Sequence, residues 1–96
     1  MDRSLILNIL SKEKPNLERE FGVRSLALFG SAARDALREN SDIDILVEFN
    51  EPATSRMFFG TQFKLEDLLG RPVDLVTKRA LRTELKPYIE REAISV

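Results

Sequence analysis

The sequence predicts a small α/β (α+β) domain in which helices pack on a mixed β-sheet of three or four strands. Short apolar segments of strand composition alternate with segments whose apolar residues recur at helical spacing. A chain of 96 residues can bury one hydrophobic core but has no room for a second lobe. We therefore expect residues 1–96 to form one domain with an open ligand site at one edge of the sheet.

The N-terminal part predicts two helices that cover the sheet. Residues 4–13 carry an apolar face at helical spacing, and Pro15 breaks this pattern. Because proline suits the first turn of a helix, a second short helix is expected over residues 15–21, and Gly22 ends it.

The next part predicts two strands joined by a short helix and a loop. The strands cover residues 23–29 and 41–49. The helix between them begins at Ser31 and ends at about residue 37. Since this connection is short, the two strands are expected to be antiparallel or part of a mixed sheet.

The second half of the chain predicts a helix, a third strand and a final helix. Ser55 can cap a helix that Gly70 closes. The third strand covers residues 71–77, and residues 81–93 read as helical. The apolar positions of the long helix are Met57, Phe58, Phe63, Leu65 and Leu68.

Two aspartates one residue apart, Asp42 and Asp44, open the second strand. In an extended segment they project from one face, roughly 6 to 7 Å apart, while Ile43, Ile45 and Val47 point into a core. Carboxylates this close repel each other unless a divalent cation separates them, and oxygen ligands alone indicate magnesium or manganese. An isolated pair is more often a turn cap, but this pair follows a Gly-Ser turn and opens an apolar strand.

Gly30 and Ser31 directly follow the first strand. Glycine allows a tight turn and a close approach to a ligand, and the serine can cap the next helix, whose free amides would face an anion. This predicts a phosphate seat, with a plain helix cap as the alternative. Arg34 lies one turn further on and either reaches the phosphates or is solvated. Seat and carboxylates together describe a site for a magnesium-bound nucleoside triphosphate.

Asp74 is a charged residue within the apolar segment 73–76, where burial without a partner would be costly. A salt bridge to Arg71 would be a structural explanation. On a strand beside Asp42 and Asp44, it would instead complete a three-carboxylate cluster that holds a metal ion and takes the proton from an attacking hydroxyl.

Two further residues complete the assignment. Glu48 shares a face with Asp44 but lies further along the strand, and we assign it a structural role. Phe59 is expected to be partly exposed at the edge of the core, and its aromatic surface would alternatively dock a partner.

Composition excludes several classes of protein and site. Neither cysteine nor histidine is present, so acid–base work falls to carboxylates, and thiolate or imidazole metal sites are excluded. With 15 basic and 16 acidic residues, the chain lacks the positive field of a direct nucleic-acid binder. No apolar run approaches the ~20 residues that span a bilayer, and the N-terminus does not resemble a signal peptide. We expect no membrane association and a cytoplasmic location.

Three stretches resemble a known family. Gly30-Ser31, then Asp42-x-Asp44 and an apolar strand, are similar to the signature of the nucleotidyltransferase superfamily related to DNA polymerase beta. The likeness is greatest to its minimal nucleotidyltransferase (MNT or MntA-like) branch. It lies in residues 28–34, 41–49 and 73–76 and extends over nearly the whole chain. Asp35 departs from the pattern, because glycine is common there.

The resemblance implies a nucleotidyltransferase fold core and an antitoxin that transfers AMP from ATP to a tyrosine of a HEPN ribonuclease toxin encoded nearby. Asp42 and Asp44 would hold two magnesium ions, or manganese, across the triphosphate, and Asp74 would help to activate the acceptor. Gly30 and Ser31 would seat the β- and γ-phosphates. A hetero-oligomer is implied, since a partner must supply the acceptor surface.

Two other functions stay open at this point. In the first, the protein is a binding-only antitoxin that neutralises a HEPN toxin by masking it, and its nucleotidyl site is dispensable. Transfer to a small molecule such as an aminoglycoside would require a substrate-binding lobe that 96 residues do not provide.

Overall fold

A four-stranded mixed β-sheet organises the fold in the computed structural model, which describes residues 1–96. The strands are β1 (Val23–Phe29), β2 (Ile43–Phe49), β3 (Val73–Thr77) and β4 (Ile94–Ser95). They lie in the order β3-β2-β1-β4, with β1 antiparallel to both of its neighbours and β2 parallel to β3. The predicted mixed sheet with packed helices, an α+β fold, is confirmed.

Four α-helices accompany the sheet. They are α1 (Arg3–Phe21), α2 (Gly30–Ala33), α3 (Ser55–Leu69) and α4 (Lys86–Glu92), and a 3₁₀ turn at Lys78–Ala80 follows β3. Helix α1 contacts α3 and β1, α3 contacts β3, and α4 contacts α2. None of these helices combines the length and the apolar composition that crossing a bilayer requires.

Pro15 does not divide the first helical segment. Helix α1 runs through it without interruption and ends at Gly22, whose φ of 73° is left-handed. The prediction of two helices separated at Pro15 is therefore wrong. Burial of one continuous apolar stripe outweighs the single backbone hydrogen bond that proline removes. The buried residues of this stripe are Ile6, Leu10 and Leu17.

The sheet buries a separate apolar cluster on each face. The larger cluster lies against α1 and α3 and includes Ile43, Ile45 and Val47, which are fully buried as predicted. The smaller cluster lies on the opposite face. Its members are Ala27, Phe29 and Leu46, packed against Val76, Leu81, Ile89 and Ala93. Because side chains alternate along a strand, Asp44 shares this second face with Leu46.

The N-cap of helix α3 lies one residue earlier than predicted. Thr54, not the predicted Ser55, is the N-cap, because its side-chain oxygen accepts from the Met57 N–H at 3.2 Å while Ser55 is already helical. Gly70 ends the helix with φ 66°, as expected. The exposed side of α3 carries Phe59, 48% exposed, and Phe63, 63% exposed. The prediction that Phe63 and Leu68 belong to the apolar face of this helix is therefore wrong, since both are exposed, whereas Leu65 of the same set is fully buried.

Elements near the predicted site are shorter than expected. Helix α2 has four residues instead of extending to about residue 37, because Asp35 adopts a φ of 58° that a right-handed helix does not allow. Strand β2 begins at Ile43 rather than at residue 41. Strand β3 begins at Val73 rather than at residue 71.

The C-terminal segment differs most from its prediction. Only residues 86–92 of the predicted helix 81–93 are α-helical, since Pro87 near the start fixes a new first turn. The chain then extends, and β4 pairs with β1 through Ala27↔Ser95 and Leu28↔Ile94. This fourth strand was not assigned from the sequence.

Candidate active site

Asp44 and Asp74 lie side by side on neighbouring strands. They are register partners in the parallel pairing of β2 with β3, and adjacent strands lie about 4.8 Å apart. Asp42 is exposed and immediately precedes β2. The three aspartates lie where β2 and β3 begin. The predicted position at a sheet edge is partly right, since β3 is an edge strand and β2 is an inner one.

Burial and neighbouring negative charges raise the pKa of Asp44 from 3.8 to about 6. Burial contributes most, followed by the charge of Asp74 and a hydrogen bond with its side chain, and then by the charges of Asp42 and Glu92. Three other carboxyl groups therefore act on Asp44. A cation placed among them would favour the ionised form of Asp44.

Gly30, the first residue of α2, lies directly against the Asp44 carboxyl group. Its φ is +68°, which side chains rarely adopt, and a Cβ at this position would overlap Asp44 Oδ2 and lie 3.0 Å from Asp44 Cγ. The register agrees, since Phe29 pairs with Asp44 and Gly30 follows Phe29. Only a residue without a side chain fits at this turn.

Ser31 is half-buried in the first turn of α2, and its hydroxyl makes no hydrogen bond within the chain. The residue at the N-cap is Phe29, without a side-chain cap. Ser31 therefore does not cap α2, so the capping role that the predicted phosphate seat assumed for it is wrong, as is the alternative of a plain helix cap. An uncommitted hydroxyl beside the Gly30 turn is available to a ligand.

Glu92 occupies the turn that sequence analysis assigned to phosphate. Its Oε1 accepts from the Gly30 backbone N–H at 2.9 Å, and its Oε2 accepts from Arg34 Nη1 at 2.8 Å. Arg34 thus points toward the seat rather than being fully solvated. Sequence analysis missed Glu92, because it lies 62 positions from Gly30 and no local pattern connects them.

Arg71 orders the loop in front of Asp42 and does not pair with Asp74. Its Nη2 donates to the carbonyl oxygens of Arg38, Glu39 and Ser41, the last two at 3.0 Å. The structural explanation of Asp74 as the partner of Arg71 is therefore wrong. Asp74 is exposed, and its side chain interacts with the Asp44 carboxyl group.

The structure contains no group of three acidic side chains that could hold a metal ion, so it does not support the predicted three-carboxylate cluster, although the oxygen donors suit magnesium. Magnesium commonly takes only one or two protein carboxylates and completes its shell with waters and substrate phosphates. Asp42, Asp44 and Asp74 are oxygen donors, and their mutual repulsion is what a divalent cation relieves. The residues present therefore fit a magnesium ion that arrives with a nucleotide.

The site is a surface at the end of the sheet rather than a cavity. The one cavity of the protein, about 660 Å³, lies at the other end of β2 and is lined by residues of 47–55, Phe58, Phe59 and residues 77–79. It contains none of the predicted site residues. An open site of this kind leaves room for a large acceptor.

A mixed sheet that brings adjacent carboxylates to a glycine turn defines the nucleotidyltransferase class. Residues 7–96 match the sequence model of the nucleotidyltransferase domain, so the chain belongs to that family and is an enzyme. It is 41% identical over 91 residues to the protein adenylyltransferase MntA of Thermococcus cleftensis, covering 95% of this chain and 92% of that one. It is 48% identical over 88 residues to a Methanocaldococcus jannaschii protein provisionally named a protein adenylyltransferase, covering 92% and 87%.

Solved structures agree with this assignment. A minimal nucleotidyltransferase, so named provisionally, matches with a TM-score of 0.84 and 36% identity over 100% of this chain and 97% of that one. A toxin–antitoxin structure with AMP-PNP matches at 0.70 and 27% identity, covering 88% and 69%. The Shewanella oneidensis MNT antitoxin in complex with a tri-AMPylated HEPN toxin matches at 0.65 and 24% identity, covering 97% and 70%, and shows a shared fold alone.

Proposed function

We propose that this protein is the antitoxin of a HEPN/MNT pair and transfers AMP from Mg-ATP to a tyrosine of the HEPN ribonuclease toxin. The observation that carries the proposal is the likeness to MntA over nearly the whole chain, joined to adjacent carboxylates beside a glycine turn. ATP as donor is supported by the AMP-PNP found with a structural relative. Because the reaction uses ATP, we place it in the cytoplasm.

The reaction exchanges the phosphoanhydride bond between the α- and β-phosphates of ATP for a phosphate ester bond to the tyrosine. The tyrosine oxygen attacks the α-phosphorus of ATP, a bond forms between them, the bond to the β-phosphate oxygen breaks, and pyrophosphate leaves. The exposed Asp74 carboxylate is the candidate base for the tyrosine proton. When bound, one or two magnesium ions held by Asp42, Asp44 and Asp74 would offset the negative charge of the phosphates.

The glycine turn supplies the contacts to the triphosphate. The Gly30 N–H and the free Ser31 hydroxyl are donors for the β- and γ-phosphates, and the Arg34 guanidinium adds a positive charge next to them. These groups orient the nucleotide so that its α-phosphorus lies near the aspartates. Positioning of this kind accounts for most of the catalysis in phosphoryl-type transfers.

The acceptor surface comes from the partner in this proposal. The site is open, and the 96 residues contain no additional lobe to bind an acceptor. A HEPN toxin assembled with an antitoxin of this fold is the partner of a structural relative. A hetero-oligomer would bring a toxin tyrosine to the start of β2 and β3.

The second candidate is a binding-only antitoxin that masks the toxin without modifying it. Phe59 and Phe63 favour it, because their rings stack at 6.1 Å on the exposed side of α3 and form an aromatic surface suited to a partner. The two functions make different predictions about covalent change. Masking requires the complex but no transfer.

Incubation with ATP labelled at the α-phosphate, magnesium and the neighbouring HEPN protein separates the two candidates. Label on the HEPN protein supports transfer. This label should be lost when the acceptor tyrosine of the HEPN protein is replaced by phenylalanine, and also when this protein carries Asp42→Asn. The matched control is Asp67→Asn, an exposed aspartate on α3, which should transfer normally. A tight complex with an inhibited toxin but no label would replace our proposal with masking.

A further inference from the structure

We infer that Glu92 competes with the nucleotide for the phosphate seat, so that its carboxylate must leave the Gly30 amide and Arg34 before the triphosphate can bind. The inference rests on the proposed function, because it assigns the same donors to the β- and γ-phosphates. It adds a residue that lowers nucleotide affinity by occupying the phosphate donors of the unliganded protein.

The contacts of Glu92 are those of a bound anion. Each of its two oxygens takes a different donor, the Gly30 N–H at 2.9 Å and Arg34 Nη1 at 2.8 Å. Arg34 has further N–H groups and can serve two acceptors, but the Gly30 amide has a single hydrogen. Carboxylate and phosphate therefore exclude one another at Gly30.

Strand pairing puts Glu92 at this position. Leu28 pairs with Ile94 across β1 and β4, and the same antiparallel register continued by two residues sets Gly30 opposite Glu92. Helix formation does not favour this placement, because Glu92 is the last residue of α4 and meets the negative end of the helix dipole. Contacts with Gly30 and Arg34 account for a position that the helix itself disfavours.

The segment that carries Glu92 is built to release it. Helix α4 has seven residues, none of which is buried. The ion pair is also partly solvated, with the Arg34 and Glu92 side chains 58% and 30% exposed, and solvated ion pairs are weak. Breaking the contact therefore needs only a rotation of the Glu92 side chain, which leaves Ile89 of α4 packed against the smaller cluster.

Charge makes the competition stronger. Glu92 adds a fourth carboxylate to Asp42, Asp44 and Asp74. While it occupies the phosphate seat, it therefore repels phosphates in addition to blocking the Gly30 N–H. A protein that binds ligand only in its open form has an apparent affinity reduced by the open fraction. If Glu92 holds the seat about nine-tenths of the time, affinity falls about tenfold.

The direct test measures affinity for Mg-AMP-PNP by calorimetry in wild type, Glu92→Gln and Glu90→Gln. Glutamine keeps the length of the side chain and removes its charge. We expect Glu92→Gln to bind about three- to tenfold more tightly than wild type. Glu90, an exposed residue of the same helix, controls for the loss of one negative charge, and Glu90→Gln should stay within about twofold of wild type.

Three other results of these titrations would overturn the competition, the proposed function or the specific role of Glu92. Binding by wild type with equal or weaker binding by Glu92→Gln overturns the competition and leaves the proposed function intact. Binding by none of the three proteins overturns the proposed function and the inference together. Tighter binding by both variants to the same extent means a general charge effect and overturns the specific role of Glu92.

Hydrogen exchange on the wild-type protein gives a second measurement that needs no variant. Saturating Mg-AMP-PNP should slow amide exchange around Gly30, while exchange in residues 86–93 should become faster because Glu92 no longer anchors α4. A merely structural contact would be retained in the complex, so exchange in this segment would be unchanged or slower. That result would overturn the inference even if Glu92→Gln failed to fold.

Discussion

Gly30 combines two constraints that a side chain would violate. The φ of +68° costs an ordinary residue about 1–2 kcal/mol, and a Cβ would displace the Asp44 carboxyl group. The first constraint concerns folding and the second concerns the site. The two can therefore be separated by comparison with a glycine that has only the first.

Gly70 provides that comparison, because its φ is +66° and nothing lies within 4 Å of the position of a Cβ. We expect Gly70→Ala to lower the free energy of unfolding by about 1–2 kcal/mol, and Gly30→Ala to lower it by at least as much, because its Cβ also displaces the Asp44 carboxyl group. Only Gly30→Ala should reduce AMP transfer, by about a hundredfold, because a displacement of about 1 Å has that effect on positioned groups. Denaturant unfolding and labelled transfer measure the two quantities. Equal activity of the two variants would contradict the role of Gly30.

Asp44 should make the metal-free protein less stable as pH rises. Its pKa is about 6 in the folded protein against 3.8 for the free side chain, so the folded state holds the proton more tightly. Stability is lost as pH rises from about 4 to about 6, and the loss is complete above that range. The effect is modest, since the group is only partly buried and solvent screens its charges.

We therefore expect Asp44→Asn to be more stable than wild type at pH 8 in the presence of a chelator, and equally stable below about pH 4. Transfer should be lost, because the amide does not replace a carboxylate metal ligand. Denaturant unfolding across this pH range measures the difference, and Asp67→Asn is the exposed control that should show none. If the wild-type protein is more stable than Asp44→Asn at pH 8, the ionised Asp44 stabilises the fold, and the sign we assign to its contribution is wrong.

At the scale of elements, Pro15 shows how packing overrides a local rule. Proline lacks an N–H and crowds the carbonyl group four residues earlier, which usually breaks a helix. Helix α1 nevertheless continues, because Leu10 before it and Leu17 after it are buried on the same face. Pro15 itself is exposed, so its cost is confined to the backbone.

Pro15→Ala should stabilise the protein. Restoring one backbone hydrogen bond and removing the crowding is expected to raise the free energy of unfolding by about 1–3 kcal/mol. Ser11→Ala, an exposed substitution in the same helix, gives the smaller gain of about 0.5 kcal/mol that comes from helix propensity alone. Chemical denaturation of the three proteins compares them. A destabilised Pro15→Ala would mean that α1 requires the bend that proline introduces.

The sequence allowed prediction of those parts of the fold that depend on local patterns. The three longer strands, the long helix α3 and its end at Gly70 follow from alternation, helical spacing and a glycine stop. The adjacency of Asp44 and Asp74 also follows, once the strands that carry them are neighbours. The roles of Asp42, Asp44, Asp74, Gly30, Ser31 and Arg34 stay predictions until activity is measured.

Long-range pairing explains the parts that could not be predicted. Strand β4 has only two residues, too few to show alternation, and it exists because β1 offers a free edge. Glu92 reaches Gly30 only through that pairing. The tether from Arg71 to the loop before Asp42 likewise spans about 30 positions of sequence. Such contacts have no signature in a neighbouring stretch of chain.

At the scale of the whole molecule, charge is unevenly distributed. The net charge is only −1, yet the start of β2 and β3 gathers the carboxyl groups of Asp42, Asp44, Asp74 and Glu92. Arg34 forms an ion pair with one of these carboxyl groups, that of Glu92. A triphosphate is itself strongly negative, so it meets a repulsive field on approach.

Nucleotide binding should therefore depend on a divalent cation. One like-charge pair about 4 Å apart costs about 4 kcal/mol at an effective dielectric constant near 20, and screening by salt reduces this. We expect the affinity for AMP-PNP to fall on the order of a hundredfold, about 2.8 kcal/mol, when magnesium is replaced by a chelator. Calorimetry measures the affinity for AMP-PNP in magnesium, in chelator, and in chelator to which manganese is then added in excess. We expect manganese to restore binding.

Ionic strength must be matched in these titrations with a monovalent salt, because general screening would otherwise imitate the effect of the divalent cation. Asp42→Asn should retain some binding in chelator and gain less from magnesium, since it removes both a repulsive charge and a metal ligand. Asp67→Asn, remote from the site, should behave as wild type. Equal affinity with and without magnesium would show that the aspartates do not act through a cation, and the carboxylate cluster would then need another explanation.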